Sequence, residues 1–188
     1  MRRFKNLGLE DNPFIKGREI EYTIYAQLKD LAQLEKAPEK EEHEQWRIPL
    51  SKESPVKMRI RAINERKFTM TTKAKRVGMV GVEEETMDVT ERFFGHLREA
   101  AIDGYKKVRY TFPIPNTERK WEIDVFMDKM GKPHPWVKID LEVADPNEKI
   151  PEFTLDVGDF IIESDKNTPE EERKIRSLWD SEWLKLDQ

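Results

Sequence analysis

Same-sign charged pairs at a spacing of two recur along this chain, each inside a short run of β-forming residues, and they constrain its fold more than any other feature. Glu19 and Glu21 come first, then Arg59 and Arg61, then Lys73 and Lys75. The stretch "VEEETMDV" supplies Glu83 and Glu85, or in the alternate register Glu84 with Asp88. Lys107 with Arg109, Glu122 with Asp124, and Asp140 with Glu142 complete the set. Side chains two apart on a strand share one face. The intervening positions hold Ile20, Met58, Ile60, Val108, Ile123, Val125, Ile139 and Leu141, which give each strand an apolar opposite face.

A sheet with one face in water explains any single pair of this kind. The whole set asks for more. A solvated face mixes its signs, because like charges opposite one another destabilise a sheet. Seven or more strands also tend to curl and close. The charged faces would then line one lumen, with six basic groups against eight acidic ones. Charges taken out of water persist when paired or bound to metal. Carboxylates are hard oxygen ligands that suit Mg²⁺ or Mn²⁺, and guanidinium forks suit phosphate oxygens. The mixture therefore predicts a metal–polyphosphate site, with Arg59 and Arg61 aimed at phosphate.

The rest of the chain fits around such strands. Residues 1–17 read as an irregular arm, and "REIEYTIYAQL" as a strand. Leu28, Leu31 and Leu34 have helical spacing. "APEKEEHEQ" reads as a polar linker or as an extension of that helix, within a long acidic insertion over residues 26–55. Strands are expected over 56–63, 67–75, 82–89, 106–114, 120–127 and 136–144. Thr90 caps a predicted helix with Phe93, Phe94, Leu97 and Ala101 on one side and Gly104 as its stop. Trp121 is expected to face outward, under a helix. Thr168, Pro169 and Glu171 open a second helix, with a capping box, over 168–185. The expected fold is α+β: a closed or nearly closed eight-stranded antiparallel β-barrel with a few packing helices. One domain spans 1–188, its barrel 19–165.

Composition narrows the function. Charged residues make up 38% of the chain, yet the net charge is −4, which argues against duplex nucleic acid as a partner. With no cysteine, thiol nucleophiles, disulfides and cysteine-based zinc sites are excluded. No apolar run approaches the roughly 18 residues of a membrane span, so a soluble, cytoplasmic protein is expected. His43, His96 and His134 lack metal-ligand spacing and read as surface or turn histidines.

These motifs together resemble the CYTH superfamily, the triphosphate tunnel metalloenzymes. "EIEYT" matches the family's ExExK strand except that Thr23 stands where lysine is expected. "RIR", "TTK", "EEE", "KVRY", "EIDVF" and "DLE" follow in the family's order, covering residues 19 to about 145. The resemblance implies a metal-dependent hydrolase of inorganic triphosphate or nucleoside triphosphates. It assigns Mg²⁺ or Mn²⁺ to Glu19, Glu21, Glu122, Asp124, Asp140 and Glu142, with Glu83 and Glu85 as additional candidates. Phosphate falls to Arg59, Arg61, Lys73, Lys75, Lys107 and Arg109. Glu19, Glu21, Glu142, Arg59 and Arg61 would carry catalysis. The family's further basic residue after the last acidic strand would correspond to Lys166 or Arg173. A homodimer is expected by analogy. The change at Thr23 keeps two alternatives open: a non-catalytic binder of a phosphorylated or nucleotide ligand, and a class IV-type adenylyl cyclase.

Overall fold

The alternation of charged and apolar residues does produce strands, and they lie in one antiparallel sheet. The computed structural model describes residues 18–51, 53–74, 82–145, 147–163 and 177. The strands are β1 (Arg18–Glu19), β2 (Glu21–Gln27), β3 (Glu39–Ile48), β4 (Val56–Ile63) and β5 (Lys67–Ala74). They continue with β6 (Val82–Val89), β7 (Asp103–Pro113), β8 (Lys120–Met127), β9 (Pro133–Glu142) and β10 (Phe160–Glu163). Their order across the sheet is β1-β6-β5-β4-β3-β7-β8-β9-β2-β10. Lys75, the predicted helix over 168–185, Lys166 and Arg173 lie outside the described residues.

The two sides of this order meet in the chain. β1 pairs with β6 at one edge, β2 pairs with β9 toward the other, and only Ile20 separates β1 from β2. The sheet is therefore curled into a tunnel-like wall, but it is not a closed barrel. The ladder breaks at Ile20, and β1 contributes just two paired residues, Arg18 to Glu83 and Glu19 to Val82. The expected eight-stranded barrel is corrected to a curled, ten-stranded sheet.

The largest departure is β3. The stretch read as a polar linker is a ten-residue strand in the middle of the sheet, between β4 and β7. Its charge hid its period: Glu39, Glu41, His43 and Gln45 share one face, while Trp46 and Ile48 join the core on the other. The leucines at 28, 31 and 34 do not make the expected helix, only a 3-10 turn over Leu34–Lys36. Asp30 accepts a hydrogen bond from the Ala32 amide at 2.9 Å, which offers the backbone a turn in place of a helix. Pro38 then bars extension of the turn as helix.

The apolar faces point away from the charged ones and are covered from outside. Trp46, Ile60, Ala62 and Phe94 form one cluster under α1 (Glu91–Glu99). Thr90 caps α1 as expected, its hydroxyl accepting from the Phe93 amide at 3.2 Å. Phe94 is buried, but Phe93 is 44% exposed and does not share its face. Gly104 is not the helix stop but the second residue of β7, where a Cβ would fall 2.5 Å from the Trp46 ring. The second cluster centres on Ile123, Val125, Val137, Ile139 and Leu141, packed beneath Ile150, Phe153 and Leu155. Trp121 belongs here. It faces outward as expected, but it meets the Phe153 ring edge-on at 5.2 Å, beneath an irregular segment and not a helix.

Candidate functional site

The charged faces of the strands converge on a cavity of about 330 Å³. Among the described residues six cations line it: Arg59, Arg61, Lys73, Lys107, Arg109 and Lys138. Six described carboxylates line it too: Glu21, Glu84, Glu122, Asp124, Asp140 and Glu142. The described lining is therefore formally neutral. Tyr105 and Phe126 complete the wall. Of the residues singled out in the sequence, eleven meet here: Glu21, Arg59, Arg61, Lys73, Glu84, Lys107, Arg109, Glu122, Asp124, Asp140 and Glu142. The register of β6 decides for Glu84, which pairs with Lys73, and so turns Glu83 and Glu85 to the opposite face. Glu19 is placed only by its backbone pairing with Val82.

At the heart of the cavity wall is a buried charge cluster built by β7 and β8. Asp124 is 1% exposed and accepts from Arg109 through both its oxygens, Nε at 2.7 Å and Nη2 at 2.8 Å, and from the Lys107 ammonium. Arg109 also donates to Glu122. Burial alone would raise Asp124, but Lys107 and Arg109 outweigh it and hold the carboxyl well below its ordinary range. Burial, with Arg109 and Arg61 nearby, pushes the Lys107 ammonium down against the pull of Asp124.

A second pairing sits one strand away. The Thr23 hydroxyl donates to Asp140 at 2.7 Å, as their register on β2 and β9 requires. Lys138, two residues before Asp140 on the same face, donates to Asp140 and lies 3.8 Å from Glu21. Burial would lower Lys138, but Asp140 and Glu21 reverse the sign and raise it. The strand next to Thr23 thus supplies a cation close to where the resemblance expects the missing lysine. Lys138 was not singled out in the sequence, although its spacing of two from Asp140 placed it on the charged face.

The cations of β4 and β5 differ from one another. Arg59 donates to Glu84 at 3.2 Å, and Lys73 approaches the same carboxylate at 2.5 Å. Arg61 makes no ion pair among the described residues. Its Nε and Nη2 donate to the neutral amide oxygen of Gln45, at 3.4 and 3.2 Å. Burial, then Arg59 and Arg109, bring its guanidinium down to about 10. Gln45 in turn donates to the Tyr105 hydroxyl. His43, on the same face of β3, is 2% exposed and not a surface residue. Burial and the neighbouring Lys107 and Arg61 push it down to about 2, so it stays neutral.

Glu21 and Glu142 stand opposite each other on β2 and β9. Burial, then Glu122 and Glu21, push the Glu142 carboxyl up. Among the described residues, no three histidine, aspartate or glutamate side chains form a ready-made metal cage. Mg²⁺, however, is commonly held by one or two carboxylates together with substrate phosphates. Glu142 and Glu21 offer two such carboxylates, Glu21 at 3.8 Å from Lys138, whereas Asp124, Asp140 and Glu122 hold cations of the protein more closely.

No protein-family model matches the chain, and no curated protein matches it in sequence. Among solved structures, the chain is similar to a Bacillus halodurans protein provisionally named an adenylate cyclase. The likeness has a TM-score of 0.47 at 15% identity and covers 69% of this chain and 83% of that one. No helix among the described residues is long and apolar enough to cross a membrane.

Proposed function

We propose that the cavity binds a triphosphate chain and that the protein is a metal-dependent triphosphatase. The observation that carries this reading is the division of the wall. Arg59, Arg61 and Lys73 gather on β4 and β5, with Arg61 lacking any carboxylate partner among the described residues. Glu21 and Glu142 gather on β2 and β9, with the Glu142 carboxyl pushed up by burial and then by its acidic neighbours. One side wants an anion and the other a cation, and a metal–triphosphate complex supplies both.

In this reading Arg61, Arg59 and Lys73 bind and orient the phosphate oxygens, and arginine's fork fixes their geometry. Binding exchanges the contacts of Arg59 and Lys73 with Glu84 for contacts with phosphate. The Arg109–Asp124–Lys107 cluster, balanced by Glu122, is a self-compensated wall that holds the cavity's shape. Glu21 and Glu142, joined by Glu19, would hold Mg²⁺ or Mn²⁺, which when bound supplies positive charge against the phosphate oxygens. Water adds to the terminal phosphorus, the bond to the bridging oxygen breaks, the electron pair leaves with the diphosphate, and the proton that water gives up passes to that departing diphosphate. The arginines stabilise the charge that accumulates there. The Thr23 hydroxyl donates to Asp140 at 2.7 Å, and this favours a second reading of the same cavity.

A binder that does not hydrolyse would keep the same anion contacts while lacking the lysine at position 23 that the resemblance expects.

Phosphate release from triphosphate, ATP, GTP, thiamine triphosphate and pyrophosphate, each with Mg²⁺, Mn²⁺ or EDTA, decides between these. Metal-dependent release that Glu21→Gln abolishes, with the fold intact by circular dichroism, is the expected result. Ligand-induced stabilisation with no release from any substrate would establish the binder instead. Cyclic AMP and pyrophosphate as products from ATP would establish a cyclase.

A further inference from the structure

We propose that Gln45 is a positioning residue that holds Arg61 as the cavity's anion anchor without neutralising it. The inference rests on the triphosphate reading and adds which cation the anion meets first and why that cation is available. Every other described cation lining the cavity has a carboxylate partner: Arg59 and Lys73 have Glu84, Lys107 and Arg109 have Asp124, and Lys138 has Asp140. Among these described cations Arg61 alone is oriented by an uncharged group. Gln45 is 8% exposed and lies behind Arg61, outside the cavity lining.

Its amide is fixed from both ends. The oxygen accepts two donors of one guanidinium, and the nitrogen donates to the Tyr105 hydroxyl on β7, directly opposite Gln45 in register. Gln45 is also opposite Arg61 across β3 and β4. A glutamate here would have the same shape and would satisfy Arg61 more strongly, because a carboxylate acceptor makes a charge-assisted bond. It would also cancel the charge that draws an anion. The amide gives direction and leaves the charge.

This contrast makes a sharp test. Inorganic triphosphate is titrated by calorimetry, in EDTA and again with Mg²⁺, into the wild type and the variants Gln45→Glu, Gln45→Met and Arg61→Gln. Gln45→Glu should bind at least about tenfold more weakly, a loss of about 1.4 kcal/mol, while its unliganded melting temperature stays at or above that of the wild type. Gln45→Met, which removes the acceptor but adds no charge, should bind more tightly than Gln45→Glu. A merely structural role predicts the opposite order, because glutamate keeps an acceptor and methionine does not. Gln45→Glu binding within twofold of the wild type, or Gln45→Met binding more weakly than Gln45→Glu, overturns the proposal and leaves the triphosphate reading standing. Should Gln45→Glu fail to fold, the other two variants decide: Arg61→Gln must bind more weakly than Gln45→Met, and the reverse overturns it. A wild type that binds no triphosphate in either buffer sinks the triphosphate reading itself, and the anchor with it.

Discussion

Replacing Asp124 by Asn keeps the shape of the side chain and removes the negative charge on which Lys107 and Arg109 converge. Asp124 accepts three strong hydrogen bonds on two oxygens. An asparagine can turn its oxygen toward the two donors at Oδ2, but its amide NH₂ then faces the Arg109 Nε. One bond becomes a donor–donor contact, and two cations lose their shared counter-charge in a site where Asp124 and Lys107 are 1% and 5% exposed. Breaking a buried pair in this way costs about 3–5 kcal/mol. That is a large share of the roughly 5–15 kcal/mol that stabilises a typical domain. For a chain of this size it lowers the melting temperature by roughly 6–20 °C.

The pH dependence carries its own sign. In the wild type, burial brings the Lys107 ammonium down to about 7 from the ordinary 10.5. The unfolded chain therefore binds more protons than the native one between those values, and stability from this group rises with pH there. Asp124 is the main group holding Lys107 up, so Asp124→Asn pushes it lower still. The variant then gains stability with pH already below neutrality, where the wild type gains none from this group. The deficit should be widest near pH 5 and narrow toward pH 7. Urea melts of both proteins from pH 5 to 9 read this directly. Adding Lys107→Met should recover part of the loss, a non-additivity that belongs to the pair. A variant that melts within 1 °C of the wild type at every pH, on the scale of ~2–4 °C per kcal/mol, would refute the buried cluster.

Three further outcomes follow from the same wall. Thr23→Val removes the 2.7 Å hydrogen bond to the buried Asp140 and should cost about 1.5–3 kcal/mol, read by urea denaturation. Glu142→Gln should leave the metal-free protein as stable as the wild type or more so at neutral pH. The Glu142 carboxyl is pushed up, so its charged form opposes folding above the ordinary 4.5; a lower melting temperature for the variant at pH 7 would contradict this. Gly104→Ala places a Cβ 2.5 Å from the Trp46 ring and 2.8 Å from the Gln45 carbonyl oxygen. It should cost about 1–3 kcal/mol by overpacking, visible as a lower thermal midpoint.

The bounds of β4, β6 and β8 were legible to the residue. In β4 and β8 the apolar side is buried while the charged side faces the cavity, so the sequence alternates with a clean period of two. β3 failed the same reading because its outward side is itself partly charged: Glu44 accepts from the Trp46 indole at 2.7 Å and faces Arg98 at 3.2 Å. With Glu42 and Glu44 on one side and Glu39 and Glu41 on the other, no hydrophobic period survives, and only Trp46 and Ile48 mark a buried face. The register of β6 was ambiguous for a related reason, since three consecutive glutamates carry no period of their own. It took the pairing of Lys73 with Glu84 to choose a face.

The charge balance of the cavity changes what the metal is needed for. The sequence counted eight acidic groups against six basic ones, and a lumen of that kind would need a cation simply to exist. Exchanging Glu83 and Glu85 for Glu84 and adding Lys138 gives seven against seven, and with Glu19 outside the lining and Lys75 outside the described residues the described wall holds six against six. The described wall is neutral without any ion, although Arg61 has no carboxylate partner among the described residues. A triphosphate of roughly −4 charge is then the unbalanced newcomer, and it needs a divalent ion to accompany it. The proposed site is therefore one where metal and triphosphate bind more tightly together than either does alone. By reciprocity, triphosphate should strengthen Mg²⁺ binding by the same factor that Mg²⁺ strengthens triphosphate binding. Calorimetric titration in both orders measures the two factors. Equal and favourable values support a shared site, whereas a metal that binds equally tightly with and without triphosphate would place it away from the phosphates.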